Sequence, residues 1–135
     1  MRPLSRKKIK VIKRSLEGLD TVMFAYLFGS QAGRTAGPSS DIDVAVFLKE
    51  DTDFVKEKLN ILGVLTEKLQ TDAIDVVILN TAPTSLLGRI LAKRGVLVDR
   101  EPFRRHIFES LTLRQYLDFS IKETANLEGR FGLGR

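Results

Sequence analysis

The sequence VMFAYLFGS at residues 22–30, followed by SDIDVAVFL at residues 40–48, decides how this chain folds. Val22 to Phe28 is a short, continuously apolar run that ends at Gly29, which is typical of a strand buried on both faces. Ile42 to Leu48 predicts a second strand. The residues between them, Gln31 to Ser40, contain two glycines and a proline, so we expect a loop there.

Further elements follow from apolar periodicity on either side of this pair of strands. Helical spacing occurs at residues 4–19, 53–70, 83–91 and 102–127, and strand-like runs occur at residues 74–79 and 96–98. The predicted helix at residues 53–70 places five apolar residues on one face: Val55, Leu59, Leu62, Leu65 and Leu69. The predicted helix at residues 102–127 has an apolar stripe through Phe103, Ile107 and Leu111, which continues through Leu113, Tyr116, Leu117 and Phe119. The order predicts a small α/β or α+β fold, with a mixed β-sheet flanked by helices. We expect residues 1–135 to form a single domain.

The composition narrows the class of protein. The chain has 43% hydrophobic and 29% charged residues, and no apolar run of the ~20 residues that a membrane span needs. It has no cysteine and a single histidine, which argues against zinc and leaves oxygen ligands for any metal. We therefore expect a cytoplasmic protein without a membrane partner, and Mg²⁺ or Mn²⁺ if a metal is bound.

Basic residues crowd the N-terminus of a chain whose net charge is +5. Seven of them precede the first acidic residue, Glu17. Such a run can bind nucleic acid or an acidic partner, but no aromatic residues interleave with it to stack on bases. We interpret it as the solvated face of a helix, and the sequence argues against a nucleic-acid partner.

Asp41, Asp43 and Asp75 are the candidate metal ligands and catalytic residues. Side chains two apart on a strand point to the same face, so Asp41 and Asp43 would present their carboxylates together. Two neighbouring carboxylates repel each other unless a cation lies between them, and Mg²⁺ binds such pairs together with phosphate oxygens. Asp75 stands near the start of another predicted strand, where it would supply a third carboxylate.

Gly29 and Ser30 are the candidate nucleotide-binding residues. Glycine lets the backbone approach a phosphate closely, and Ser30 adds a hydroxyl beside the amide groups that follow. Arg34, in the same loop, is a further candidate for a phosphate contact.

These residues resemble the minimal nucleotidyltransferase (MNT) branch of the DNA polymerase β-like nucleotidyltransferase superfamily. The resemblance is carried by YLFGSQA at residues 26–32 and SDIDV at residues 40–44, with DVV at residues 75–77 as a third-carboxylate strand. The order Gly33-Arg34 departs from the arginine–glycine order common in the family. The resemblance implies a polymerase β-like nucleotidyltransferase fold, and an enzyme that uses Mg²⁺ and ATP.

Within this branch the chain is most similar in size and motif to MntA-type antitoxins. The resemblance implies an antitoxin that transfers AMP from ATP to a tyrosine hydroxyl of a partner HEPN-type ribonuclease toxin. Asp41, Asp43 and Asp75 would be its metal-binding catalytic residues, and Gly29 and Ser30 would bind the nucleotide.

Two alternatives stay open at this point. The first is transfer of a nucleotide to a small, aminoglycoside-like acceptor held at the interface of a homo-oligomer. The second is a non-catalytic antitoxin that masks its toxin. The predicted sheet and helices use nearly the whole chain, which favours an acceptor bound by another chain, either a protein substrate or a second copy.

Overall fold

The computed structural model describes residues 5–29 and 42–131, with side chains described as far as residue 124. Its eight elements follow the predicted order. They are α1 (Arg6–Glu17), β1 (Val22–Phe28), β2 (Ile42–Leu48), α2 (Phe54–Leu69), β3 (Ile74–Ile78), α3 (Thr84–Ala92), β4 (Gly95–Asp99) and α4 (Pro102–Phe131).

The first two helices begin and end where local chemistry predicts. The Ser5 hydroxyl accepts a hydrogen bond from the Lys8 amide at 3.3 Å, and the Asp53 carboxylate accepts one from the Lys56 amide at 3.2 Å. Both contacts satisfy amides that a helix start leaves unpaired. Gly18 caps the end of α1, and Gln70 caps the end of α2 in the left-handed region, at φ 56°.

The four strands form one mixed sheet in the order β3-β2-β1-β4. β1 lies antiparallel to both of its neighbours, β2 and β4, whereas β2 and β3 run parallel. The predicted mixed sheet is therefore confirmed, and the predicted short strand at residues 96–98 is an edge strand, β4.

Helices cover both faces of the sheet. On one face, α1 and α2 pack Ile12, Leu16, Ile61 and Leu65 against β-strand residues such as Val44. On the other face, α3 and α4 cover an aromatic and aliphatic layer. The strands contribute Phe24, Tyr26 and Phe47 to this layer, and α3 contributes Leu87 and Ile90. Because both faces are buried, β1 and β2 are apolar almost without interruption, as the sequence predicted.

Two helical faces differ from the sequence prediction. In α2, Val55 and Leu59 are exposed, and the buried side chains are Ile61, Leu65 and Leu69. In α4, the stripe through Phe103, Ile107, Leu111 and Leu117 faces solvent, while Glu109 and Thr112 are buried on the opposite face. Periodicity locates a helix, but it does not determine which face the rest of the chain covers. Among the described residues, no helix is both long and apolar enough to cross a membrane.

Candidate active site

Three strand ends lie together at one end of the sheet. β1 ends at Phe28, and β2 and β3 begin at Ile42 and Ile74. Phe28 is the register partner of Asp43 across the antiparallel pair, and Asp43 is the register partner of Asp75 across the parallel pair. Neighbouring strands lie about 4.8 Å apart, so the Asp43 and Asp75 carboxylates lie side by side at this end of the sheet.

Strand alternation directs both carboxylates to the same face of the sheet. Asp43 precedes Ala45 by two residues, and Asp75 precedes Val77 by two, and both of those residues belong to the layer beneath α3 and α4. Asp43 is half-buried, whereas Asp75 is exposed. The two carboxylates therefore lie together at this end of the layer, and the exposed Asp75 is accessible to an ion or a substrate.

Gly29 lies against the carboxylate of Asp43. Its φ is +75°, a conformation that glycine adopts without steric cost. A Cβ built at this position would overlap Asp43 Oδ2. The sequence therefore requires glycine here for two reasons, the left-handed backbone and the close approach of the carboxylate.

Ser30, Arg34 and Asp41 lie outside the described residues, so their roles stay predictions. Within residues 5–29 and 42–131, no group of three or more His, Cys, Asp or Glu side chains is placed to hold a metal. Asp43 and Asp75 nevertheless offer carboxylate oxygens from adjacent strands, and these are the donors that Mg²⁺ prefers. The residues present thus fit the expected metal by the chemistry of their donor atoms.

A groove of about 380 Å³ opens beside Asp75. Its floor is formed by β3 at the edge of the sheet, and its walls come from the first turn of α2 and from α3 with the turn before it. The lining is mainly apolar, with one basic residue, and includes Phe54, Val55, Lys58, Val77, Ala82 and Leu86. The sequence did not predict this groove, because its residues come from three separate segments.

Beneath α4, a charged cluster is buried against Tyr26. The Tyr26 hydroxyl donates a hydrogen bond to Glu109 Oε2 at 2.6 Å. The same oxygen accepts hydrogen bonds from Arg94 Nε at 3.1 Å and from Arg105 NH1 at 3.0 Å. Arg105 Nε also lies 3.0 Å from Asp99 Oδ1, as an ion pair without hydrogen-bond alignment. The cluster ties α4 to β1 and β4.

The cluster perturbs both of its central groups. Burial, reinforced by the hydrogen bond to Glu109 and its charge, raises the pKa of Tyr26 well above its ordinary value. For Glu109, burial favours the neutral acid, but hydrogen bonds from Tyr26, Arg105 and Arg94 outweigh it and lower the pKa. Tyr26 is fully buried, so it is a structural residue and is not accessible as an acceptor of a nucleotide.

Comparison with known families identifies the class of protein. The family described as polymerase beta, nucleotidyltransferase matches residues 10–103, well over half of the chain. The match includes both described carboxylates and the glycine beside them. The chain belongs to this nucleotidyltransferase family, and its mixed four-stranded sheet is the polymerase β-like fold.

Solved structures of other proteins have a similar fold. The chain is similar to a chain of the toxin–antitoxin complex MntA-HepT, with 21% identity, a TM-score of 0.71, and coverage of 94% of this chain and 99% of that one. A toxin–antitoxin structure with AMP-PNP gives 24% identity and a TM-score of 0.72, covering 95% and 99%. A complex of a tri-AMPylated Shewanella oneidensis HEPN toxin with MNT antitoxin gives 21% identity and a TM-score of 0.72, with the same coverage. No curated protein matches the chain.

Proposed function

We propose that this chain is a Mg²⁺-dependent nucleotidyltransferase that acts as an antitoxin, transferring AMP from ATP to a tyrosine hydroxyl of a HEPN-type ribonuclease toxin. The observation that carries the proposal is the pairing of Asp43 with Asp75 near the starts of two neighbouring strands, with Gly29 packed against Asp43. The family membership and the similarity to toxin–antitoxin structures support the same conclusion.

Each residue has a distinct role in this proposal. Asp43 and Asp75, with Asp41, would hold the metal ion, and Gly29 and Ser30 would bind the triphosphate. Arg34 is a further candidate for a phosphate contact. When bound, Mg²⁺ lowers the pKa of an attacking hydroxyl and neutralises charge on the leaving pyrophosphate. The acceptor oxygen forms a bond to the α-phosphorus as the bond to pyrophosphate breaks, and the hydroxyl proton is released.

The groove beside Asp75 supports an aromatic acceptor. A tyrosine side chain needs apolar surface for its ring and a polar centre beside its hydroxyl. Phe54, Val77 and Leu86 provide the first, and Asp75 provides the second. We expect the acceptor to approach through this groove, because Asp75 is the exposed member of the carboxylate pair.

The test is the intact mass of a HEPN-type partner after incubation with this chain, ATP and Mg²⁺. We expect mass gains in steps of one AMP, and none with Asp43→Asn or Asp75→Asn. Asp72→Asn is the matched control, since Asp72 is an exposed carboxylate three residues before Asp75 and should leave transfer unchanged. Full transfer by Asp43→Asn would refute the catalytic proposal.

ATP analogues test which bond breaks. An analogue with a methylene group between the α- and β-phosphorus should block AMP transfer, whereas an imido group between the β- and γ-phosphorus should permit it. The opposite pattern would indicate transfer of the γ-phosphoryl group. A stable complex with no mass gain would favour masking of the toxin. Transfer to a small hydroxylated compound would favour the alternative of an aminoglycoside-like acceptor.

A further inference from the structure

The outer face of α4 is an apolar surface without a cover. Seven of the ten large apolar side chains that the described part of the chain exposes belong to this helix. With 3.6 residues per turn, six of the seven fall on one side, opposite the side that packs on α3 and the sheet. We call these six the α4 stripe; they are Phe103, Ile107, Leu111, Leu113, Leu117 and Ile121. Soluble monomers rarely expose a contiguous apolar patch larger than a few hundred Å².

The second half of α4 extends beyond the body of the domain. Thr112 is buried and Tyr116 is half-buried, but the described side chains from Leu117 to Thr124 are exposed except for the half-buried Ser120. The helix nevertheless continues to Phe131. A helix segment of about this length is marginally stable in water without tertiary contacts, so this half needs a surface to lie against.

The α4 stripe is symmetric about Thr112. Phe103 and Ile121 lie nine residues to either side of it, Ile107 and Leu117 lie five, and Leu111 and Leu113 lie one. An isologous two-fold contact uses the same patch on both copies, and a stripe with this symmetry is suited to it because each half can cover the other. Two antiparallel α4 helices would place each residue level with its symmetric counterpart in the other copy, and Phe103 would lie directly against Ile121.

The polar positions on this face agree with the same pairing. Ser110 and Arg114, each two residues from Thr112, would face each other at the centre, and a polar central layer fixes the register of paired helices. Arg104, whose side chain is 41% exposed and bound to Glu50, would lie near Asp118 of the second copy. Opposite charges therefore meet at both ends of the interface.

We propose that α4 pairs with the α4 of a second copy of this chain, antiparallel, about a two-fold axis that passes between the helices at the level of Thr112. The projecting half of each helix then covers the N-terminal half of the other, so one contact buries both unsupported surfaces. The pairing rests on α4 alone, and it holds or fails independently of the catalytic proposal.

Sedimentation equilibrium tests the stoichiometry. We expect the purified chain to have twice its 15.2 kDa mass, and Leu117→Glu to weaken dimerisation at least 100-fold, because two charges enter the interface. Gln115→Glu is the matched control, since Gln115 is an exposed residue of α4 outside the stripe. A monomer at every accessible concentration, or a dimer that tolerates Leu117→Glu, would overturn the proposal.

Single cysteines test the orientation, because the chain has no cysteine of its own. A short bis-maleimide should crosslink Leu113→Cys efficiently, since the two copies of residue 113 lie beside the axis. Ile121→Cys should not crosslink, because antiparallel pairing separates the two copies by about 27 Å along the helices. Efficient crosslinking at both positions would indicate a parallel dimer and contradict the proposal.

Discussion

At the scale of single residues, the candidate site depends on one backbone conformation and one close approach. Gly29 ends β1 with a positive φ, and the Asp43 carboxylate occupies the space that a side chain would need. The motif recognised in the sequence, glycine before serine, therefore has a steric origin in addition to any role in phosphate binding. A substitution here would displace the carboxylate that the proposed metal needs.

We expect Gly29→Ala to reduce AMP transfer by about 100-fold or more, since a displacement of about 1 Å at a catalytic group has an effect of that size. The measurement is the initial rate of AMP transfer, with circular dichroism to verify folding. Gly95→Ala is the control at the same edge of the sheet, because its Cβ would make only an ordinary contact, 4.0 Å from the Leu27 carbonyl oxygen. Wild-type activity in Gly29→Ala would exclude the proposed role of this close approach.

At the scale of elements, α3 and α4 pack through a glycine. A Cβ built on Gly88 would overlap the ring of Tyr116 on α4, so the two helices approach closely at this point. Gly63, in α2, has no atom within 4 Å of its Cβ position. The two helical glycines therefore have different reasons to be glycine, although the sequence alone does not distinguish them.

Alanine substitution should separate these two cases by sign. Gly88→Ala should destabilise the fold by about 1–3 kcal/mol, because the tightly packed ring must shift. Gly63→Ala should stabilise it by about 0.5–1 kcal/mol, since alanine has the higher helix propensity and fills open space. Urea unfolding of both variants measures the difference, and stabilisation by Gly88→Ala would contradict the described helix contact.

At the scale of the whole molecule, the cluster around Glu109 joins elements that are distant in sequence. Glu109 and Arg105 belong to α4, Tyr26 to β1 and Asp99 to β4, and Arg94 precedes β4. A buried charge is tolerated only when its partners satisfy it, so removing one member affects the docking of α4 on the sheet.

Glu109→Gln should lower the free energy of unfolding by roughly 1–3 kcal/mol at neutral pH. Because folding lowers the pKa of Glu109 from its ordinary value of 4.5, the ionised carboxylate contributes stability above that pH. The contribution is lost as the pH falls from 4.5 through the pKa of the folded state, so the difference from wild type should shrink in acid. Urea unfolding between neutral and acid pH measures it.

The control for this pH dependence is Glu123→Gln, an exposed carboxylate on the same helix. It should leave the free energy of unfolding unchanged, as expected of a surface substitution. A difference between Glu109→Gln and wild type that grows on acidification would contradict the assigned direction of the pKa shift.

Local sequence patterns determined most of the secondary structure and part of the candidate site. β1 and β2 have the predicted bounds. Gly29 marks the end of the first apolar run, and Asp41 marks the start of the second. Asp43 lies beside Asp75 because β2 and β3 pair in parallel. The sequence predicted that Asp75 lies near the start of a strand, but it did not show which strand pairs with it. Ser30, Arg34 and Asp41 stay predictions from the motif.

The residues alone were enough to predict the order of elements, the buried character of the central strands, and the carboxylates that suit a metal-dependent transfer. These depend on neighbours in the chain, whose periodicity and chemistry can be read directly. The three-dimensional structure was needed to show which face of α4 is buried, where the groove lies, and that Tyr26 donates to a carboxylate 83 residues away. Those features arise from packing between distant segments, where the contact that each residue makes depends on every other element of the fold.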